Sequence, residues 1–106
     1  MKVWVVETSE AWERLKSKLA ELSREEKSEV ILIKDEGVVR CPRCDPDPFR
    51  YLRQFVLDGG RLVICARSLA RYGIPETRPP EFFERVPDGE VFLQELRSQG
   101  YQVESV

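Results

Sequence analysis

Three cysteines carry most of the reactive chemistry open to this chain of 106 residues, and they fall in two settings. Cys65 closes the apolar run Leu62-Val63-Ile64-Cys65 and stands directly before the helical pattern Ala66–Tyr72. The amino end of a helix carries partial positive charge and free N–H groups, and both favour a thiolate over a thiol. Arg67 and Arg71 follow and can add positive potential. A thiolate so placed can attack sulfur and hold it as a persulfide, a reaction that needs no histidine. The position equally suits a small buried apolar side chain, a common use of cysteine. Position alone leaves both readings open.

Cys41-Pro42-Arg43-Cys44 is the second setting, and it admits three readings. A closed structural zinc site needs four ligands, and the chain offers only Cys65 and carboxylates besides, so metal binding would require symmetry-related chains. A thioredoxin-like redox pair places its first Cys at a helix start. Here Asp45-Pro46-Asp47-Pro48 intervenes, and no Pro-led strand stands where that fold keeps a cis-proline near its thiols. The third reading is a loop brace or two idle thiols. No metal and no cofactor is assigned from these residues.

The absences narrow the chemistry further. There is no His, which removes Ser-His-Asp and Cys-His catalysis and imidazole metal ligands. There is also no Asn, and abundant Glu, Arg and Lys fit a heat-adapted protein. Gly59-Gly60 precedes an apolar run, whereas a phosphate-binding glycine loop follows a strand. Glu13, Glu21, Glu25 and Glu26 lie on the outer side of the expected first helix with Lys16 and Lys18 as neighbours, as on a solvated face. With 17 basic against 19 acidic residues the net charge is −2, which gives no electrostatic case for nucleic acid or an anionic membrane. The longest apolar runs are strand-sized, so no membrane-spanning helix is expected. Met1-Lys2 leads straight into one of them with no small-residue cleavage site behind it. A reducing cytoplasm with free thiols is therefore the expected compartment, although heat-adapted cells keep disulfides there as well.

The elements that must position Cys65 can be read from periodicity. Val3-Trp4-Val5-Val6, Val30-Ile31-Leu32-Ile33 and Leu62–Cys65 are continuous apolar runs, as expected of strands covered on both faces. Thr8 or Ser9 caps a helix whose Trp12, Leu15, Leu19 and Leu22 form one stripe. Asp35-Glu36-Gly37 reads as a turn into an extended Val38-Val39-Arg40, and Cys41–Pro48, with three prolines, as irregular. Asp47-Pro48 opens a helix carrying Phe49, Leu52, Phe55 and Val56 inward, and Asp58-Gly59-Gly60 stops it. Gly73 is the expected left-handed cap of the helix after Cys65. Ile74–Pro87 is a Pro-rich connection holding Phe82-Phe83, one ring expected in the core and the other outward beside Ile74 as an apolar patch. Asp88 caps a last helix with Phe92, Leu93 and Leu96 inside; Gly100 ends it, and Tyr101–Val106 alternates like an edge strand. Strands alternating with helices imply crossover connections. The expected fold is α/β: residues 1–106 as a single-domain three-layer sandwich with a mostly parallel sheet of four or five strands.

The order of these features resembles the DsrE/DsrF-like family of small sulfur-relay proteins. Asp35-Glu36-Gly37-Val38-Val39 resembles the turn after that family's second strand, and Gly59-Gly60-Arg61-Leu62-Val63-Ile64-Cys65 its Gly-led strand ending in Cys. Ala66-Arg67-Ser68-Leu69-Ala70-Arg71-Tyr72-Gly73-Ile74 is similar to its following helix, and Leu96–Val103 to its closing helix and strand. The resemblance runs from about residue 28 to the end and more loosely through the first helix, and the Cys41–Cys44 loop is not part of it. It implies trimers or hexamers, and a Cys at the position of Cys65 that carries sulfane sulfur between a donor protein and an acceptor protein.

The sequence thus leads to a cytoplasmic sulfur carrier or sulfurtransferase in which Cys65 holds a persulfide. The helix amino end and Arg67 would stabilise its thiolate. Cys41 or Cys44 would act as a resolving or redox pair if their loop reaches Cys65. The competing classes are a non-catalytic oligomeric subunit with a structural Cys65, and a disulfide oxidoreductase working through Cys41 and Cys44.

Overall fold

Val and Ile dominate the apolar runs, and their branched side chains suit a pleated surface packed on both sides. The computed structural model, which describes residues 2–15, 17, 29–39, 46–79 and 81–106, places these runs side by side in one sheet. Strand β1 (Lys2–Val6) pairs with β2 (Val30–Ile33), Val3 opposite Val30. Strand β3 (Arg61–Cys65) lies on the far side of β2, with Val30 opposite Arg61. The edges are β4 (Glu84–Val86) beside β3 and β5 (Gln102–Ser105) beside β1. All four pairings are parallel and the order is β4-β3-β2-β1-β5.

Successive residues of a strand point to opposite faces, so each apolar run feeds two cores. Trp4, Val6, Ile31, Ile33, Leu62 and Ile64 face one way. They pack under helix α1 (11–15, through Trp12 and Leu15), helix α2 (Pro46–Leu57, through Leu52 and Phe55) and helix α3 (Ala66–Arg71, through Leu69). Val3, Val5, Val30, Leu32 and Val63 face the other way, against Phe92, Leu93 and Leu96 of helix α4 (Gly89–Ser98). The result is a three-layer sandwich with the described helices divided three and one. Among the described residues no helix is long and apolar enough to cross a membrane.

The helix boundaries follow from local chemistry. Thr8, rather than Ser9, caps α1, its hydroxyl accepting from the Ala11 N–H at 3.2 Å. Asp88 caps α4 by accepting from the Glu90 N–H at 2.9 Å. Helices α2, α3 and α4 end alike: Gly59, Gly73 and Gly100 take positive φ of 100°, 69° and 92°. In α3 the Gly73 N–H then donates to Ala70 and the Ile74 N–H to Leu69, satisfying carbonyls that the helix leaves open.

Four expectations need correction. Val38-Val39 is not extended; Asp35–Val39 is a 3-10 helix whose Gly37 carbonyl accepts from the Trp12 indole at 2.8 Å. Helix α2 begins at Pro46, not at Pro48 behind an Asp47 cap, since both prolines fall in its first turn, where no N–H is needed. The Pro-rich connection contains β4, which completes the five strands. Phe83 is fully buried, but Phe82 and Ile74 are partly buried against the same core, so they form no free apolar patch. Leu19, Leu22, Arg40, Cys41 and Cys44 lie outside the described residues, as does the side chain of Phe49.

Candidate functional site

In an all-parallel sheet every carboxyl end lies on one edge, and the loops that leave it gather there. Lys34 and Asp35 follow β2, Cys65 closes β3, and Asp88 and Glu90 follow β4, so three adjacent strands deliver them to one place. With Arg67, Ser68 and Arg71 of α3 they line a pocket of about 410 Å³.

Cys65 is the N-cap of α3, with extended backbone (φ −79°, ψ 114°). Its Sγ accepts the Ser68 N–H of that helix at 3.4 Å and the Gly89 N–H at 3.2 Å. Two helix amino ends, from opposite layers of the sandwich, therefore converge on one sulfur. Glycine eases the second approach, since a Cβ on Gly89 would stand 3.3 Å from the Cys65 Cβ, a tight contact, and 3.5 Å from Sγ, an ordinary one. The residue as a whole is 4% exposed and reaches solvent through the pocket.

Charge surrounds this sulfur in pairs. Lys34 is buried, and its ammonium donates to Glu90 and to Asp35 (3.3 Å), with Glu7 at 3.7 Å. Burial alone would push this ammonium's pKa down; the hydrogen bonds to Glu90 and Asp35 and the charges of Asp35 and Glu7 outweigh it and hold the group above its ordinary value. Asp35 itself has a positive φ of 50°, a conformation aspartate tolerates better than most residues, and its N–H donates to the Ser68 hydroxyl at 2.9 Å. Asp88 is held below its ordinary pKa chiefly by the Glu90 N–H; desolvation opposes this, and the Arg67 guanidinium and the Val91 N–H add to the lowering. Among the described residues no group of three or more Cys, Asp or Glu could hold a metal ion.

Of the residues singled out in the sequence for the chemistry of Cys65, Cys65 itself, Arg67 and Arg71 meet at this pocket. The Arg67 guanidinium is turned to Asp88 at 3.1 Å and is otherwise exposed. Cys41 and Cys44 lie outside the described residues. Sequence reasoning missed Lys34, Ser68, Gly89 and Glu90. A lysine directly after a wholly apolar strand was the available signal for the first. Ser68, three residues after Cys65 in the helix that it caps, was open to the N-cap rule, and Gly89 and Glu90 depend on recognising β4, whose carboxyl end points to Asp88-Gly89-Glu90.

No protein-family model matches this chain, and no curated protein matches it. Solved structures do. The protein of unknown function MTH1491 from Methanobacterium thermoautotrophicum superimposes with a TM-score of 0.76 at 17% identity, covering 98% of this chain and 96% of that one. The conserved protein of unknown function BT1422 from Bacteroides thetaiotaomicron gives 0.73 at 12% identity, covering 99% and 94%. At such identities the likeness defines the class of fold, a single α/β domain, and nothing of its chemistry.

Proposed function

We propose that this protein is a cytoplasmic sulfur carrier or sulfurtransferase of the DsrE/DsrF-like kind, with Cys65 as the sulfur-bearing residue. The observation that carries the reading is the pair of backbone N–H groups, from Ser68 and Gly89, directed at one Sγ on the wall of a charged pocket. Backbone N–H groups at helix starts hold negative charge on sulfur without a histidine. In the transfer, the Cys65 thiolate attacks the outer sulfur of a donor persulfide R–S–SH. The new Cys65 S–S bond forms, the donor S–S bond breaks, and the displaced R–S⁻ takes the proton, leaving Cys65–S–S⁻ and R–SH. An acceptor thiolate reverses the exchange, so no net oxidant is consumed. The test is mass spectrometry of native protein after exposure to a sulfane-sulfur donor. A gain of one sulfur atom that disappears in Cys65→Ser is expected; an unchanged wild-type mass overturns the reading.

The burial of Cys65 favours a second reading, in which the thiol is a packed helix cap of a non-catalytic subunit. Labelling of native protein with a thiol reagent separates the two: modification before unfolding supports the carrier, and modification only after unfolding supports the cap. Assembly as a trimer or hexamer belongs to the same proposal. It rests on the family resemblance alone, because Phe82 and Ile74 supply no exposed patch. Sedimentation at micromolar concentration tests it, and a single monomeric species counts against it.

A further inference from the structure

The lining of the Cys65 pocket constrains what can enter it. Lys34, Arg67 and Arg71 face Asp35, Asp88 and Glu90, three cations against three carboxylates. A polyanionic donor such as thiosulfate gains no net attraction from such a wall. The deepest cation is already committed, since the Lys34 ammonium sits among Glu90, Asp35 and Glu7. A simple cation fares no better. A molecule carrying both signs can exchange partners with the wall, matching each of its charges to one half of an existing pair.

The pairs at the mouth are those open to exchange. Arg71 reaches Asp35 only at 3.9 Å, and its side chain is 71% exposed. Glu90, although in contact with Lys34, is 64% exposed. A carboxylate and an ammonium on one carbon would engage Arg71 and Glu90 respectively. A short side chain from that carbon would then extend toward Sγ of Cys65.

We propose that the pocket binds a zwitterionic amino-acid thiol derivative, so that the small-molecule sulfur donor or acceptor at Cys65 is an α-amino-acid persulfide such as cysteine persulfide rather than an inorganic sulfur anion. This rests on the sulfur-carrier reading for its chemistry, but the binding itself is independent of sulfur transfer. Titrating S-methyl-L-cysteine into the native full chain, followed by amide NMR, tests it. Saturable shifts of the Ser68, Gly89 and Glu90 amides are expected, with thiosulfate at equal ionic strength binding at least tenfold more weakly. Arg71→Gln, at an exposed helix end, should weaken S-methyl-L-cysteine about tenfold, the scale of one charge-assisted contact. Absence of saturable shifts, or tighter binding of thiosulfate, overturns the inference. A protein that binds S-methyl-L-cysteine yet gains no sulfur from any sulfane donor keeps this pocket assignment and loses the carrier reading. One that gains sulfur but does not bind S-methyl-L-cysteine does the reverse.

Discussion

The two faces of the sheet are covered in opposite ways. Three of the described helices share the first face and pack it through Trp12, Leu52, Phe55 and Leu69, all buried fully or nearly so, and α3 alone of the three also lines the site. The second face depends on α4 alone among the described helices. That one helix is fixed at its amino end by polar contacts to the site: the Gly89 N–H to Cys65 Sγ, Glu90 to Lys34, and Asp88 to Arg67. On the first face, packing and chemistry are separable for α1 and α2, whereas α3 also supplies the Ser68 N–H to Cys65. On the second they are coupled, because whatever lifts α4 also strips a donor from Cys65.

A pair of matched cavities gives the sharpest test. Leu52 of α2 and Leu96 of α4 are both buried, at 0% and 3% exposure, so truncation of either to Ala should cost about 2–5 kcal/mol in chemical denaturation. The two variants should differ at Cys65. Leu96→Ala is expected to raise the native labelling rate of the thiol, and Leu52→Ala to leave it near wild type once global unfolding is subtracted. Equal labelling in both would show that the faces are not distinct in this sense.

A smaller effect is expected at Lys34. Lys34→Met keeps the chain length and removes the charge that joins the β2 end to α4. Its partners are 42–64% exposed, so solvent screens the loss, and about 1–2 kcal/mol is expected. The sign of its pH dependence is fixed. A lysine held above 10.5 adds stability that is intact below that value and is lost as pH rises through the folded-state value. Wild type should therefore lose stability above pH 10.5 more steeply than Lys34→Met. Parallel alkaline curves would mean the carboxylates around Lys34 do little for α4.

Acid should act on the same helix through Asp88. Its depressed pKa gives stability that is present above 3.8 and is lost as pH falls through the folded value. Asp88→Asn keeps a capping oxygen but gives up the charge paired with Arg67. Circular dichroism across the acid transition should show the variant losing less between neutral pH and that range than wild type. Coincident curves would remove Asp88 from the set of contacts that fix α4.

What the sequence disclosed divides along similar lines. The three central strands were legible because runs such as Val30–Ile33 are wholly apolar, and the ends of α2, α3 and α4 because Gly59, Gly73 and Gly100 each take the left-handed turn. Strand β4 was hidden because three residues, Glu-Arg-Val, are too short to show a period and follow a run of prolines. The 3-10 helix was hidden because Asp-Glu-Gly-Val-Val satisfies turn and strand rules equally well, and the deciding contact comes from Trp12, 25 residues away. At the site, Cys65 and its own helix were local and readable. The Gly89 donor lies 24 residues further on and the Lys34–Glu90 pair spans 56, so their convergence is a property of the parallel sheet rather than of any segment.

The smallest effect should come from Arg61, which bears on α4 away from its amino end. Its guanidinium donates to Glu84 at 2.6 and 3.1 Å, tying β3 to β4, and lies 5.3 Å from the ring of Phe92 on α4. The Glu84 hydrogen bonds, opposed by partial burial, hold its pKa above the ordinary value, so it is charged throughout the accessible range. Both members of the ion pair are nearly half exposed, at 45% and 48%, a setting in which an exchange of salt bridge for solvent contacts is nearly even. Arg61→Gln should therefore cost less than about 1 kcal/mol and leave native labelling of Cys65 unchanged. If it instead cost clearly more and raised that labelling, the cation over Phe92 would be a second anchor for α4. The coupling between helix and site would then run along the helix rather than through its amino end alone.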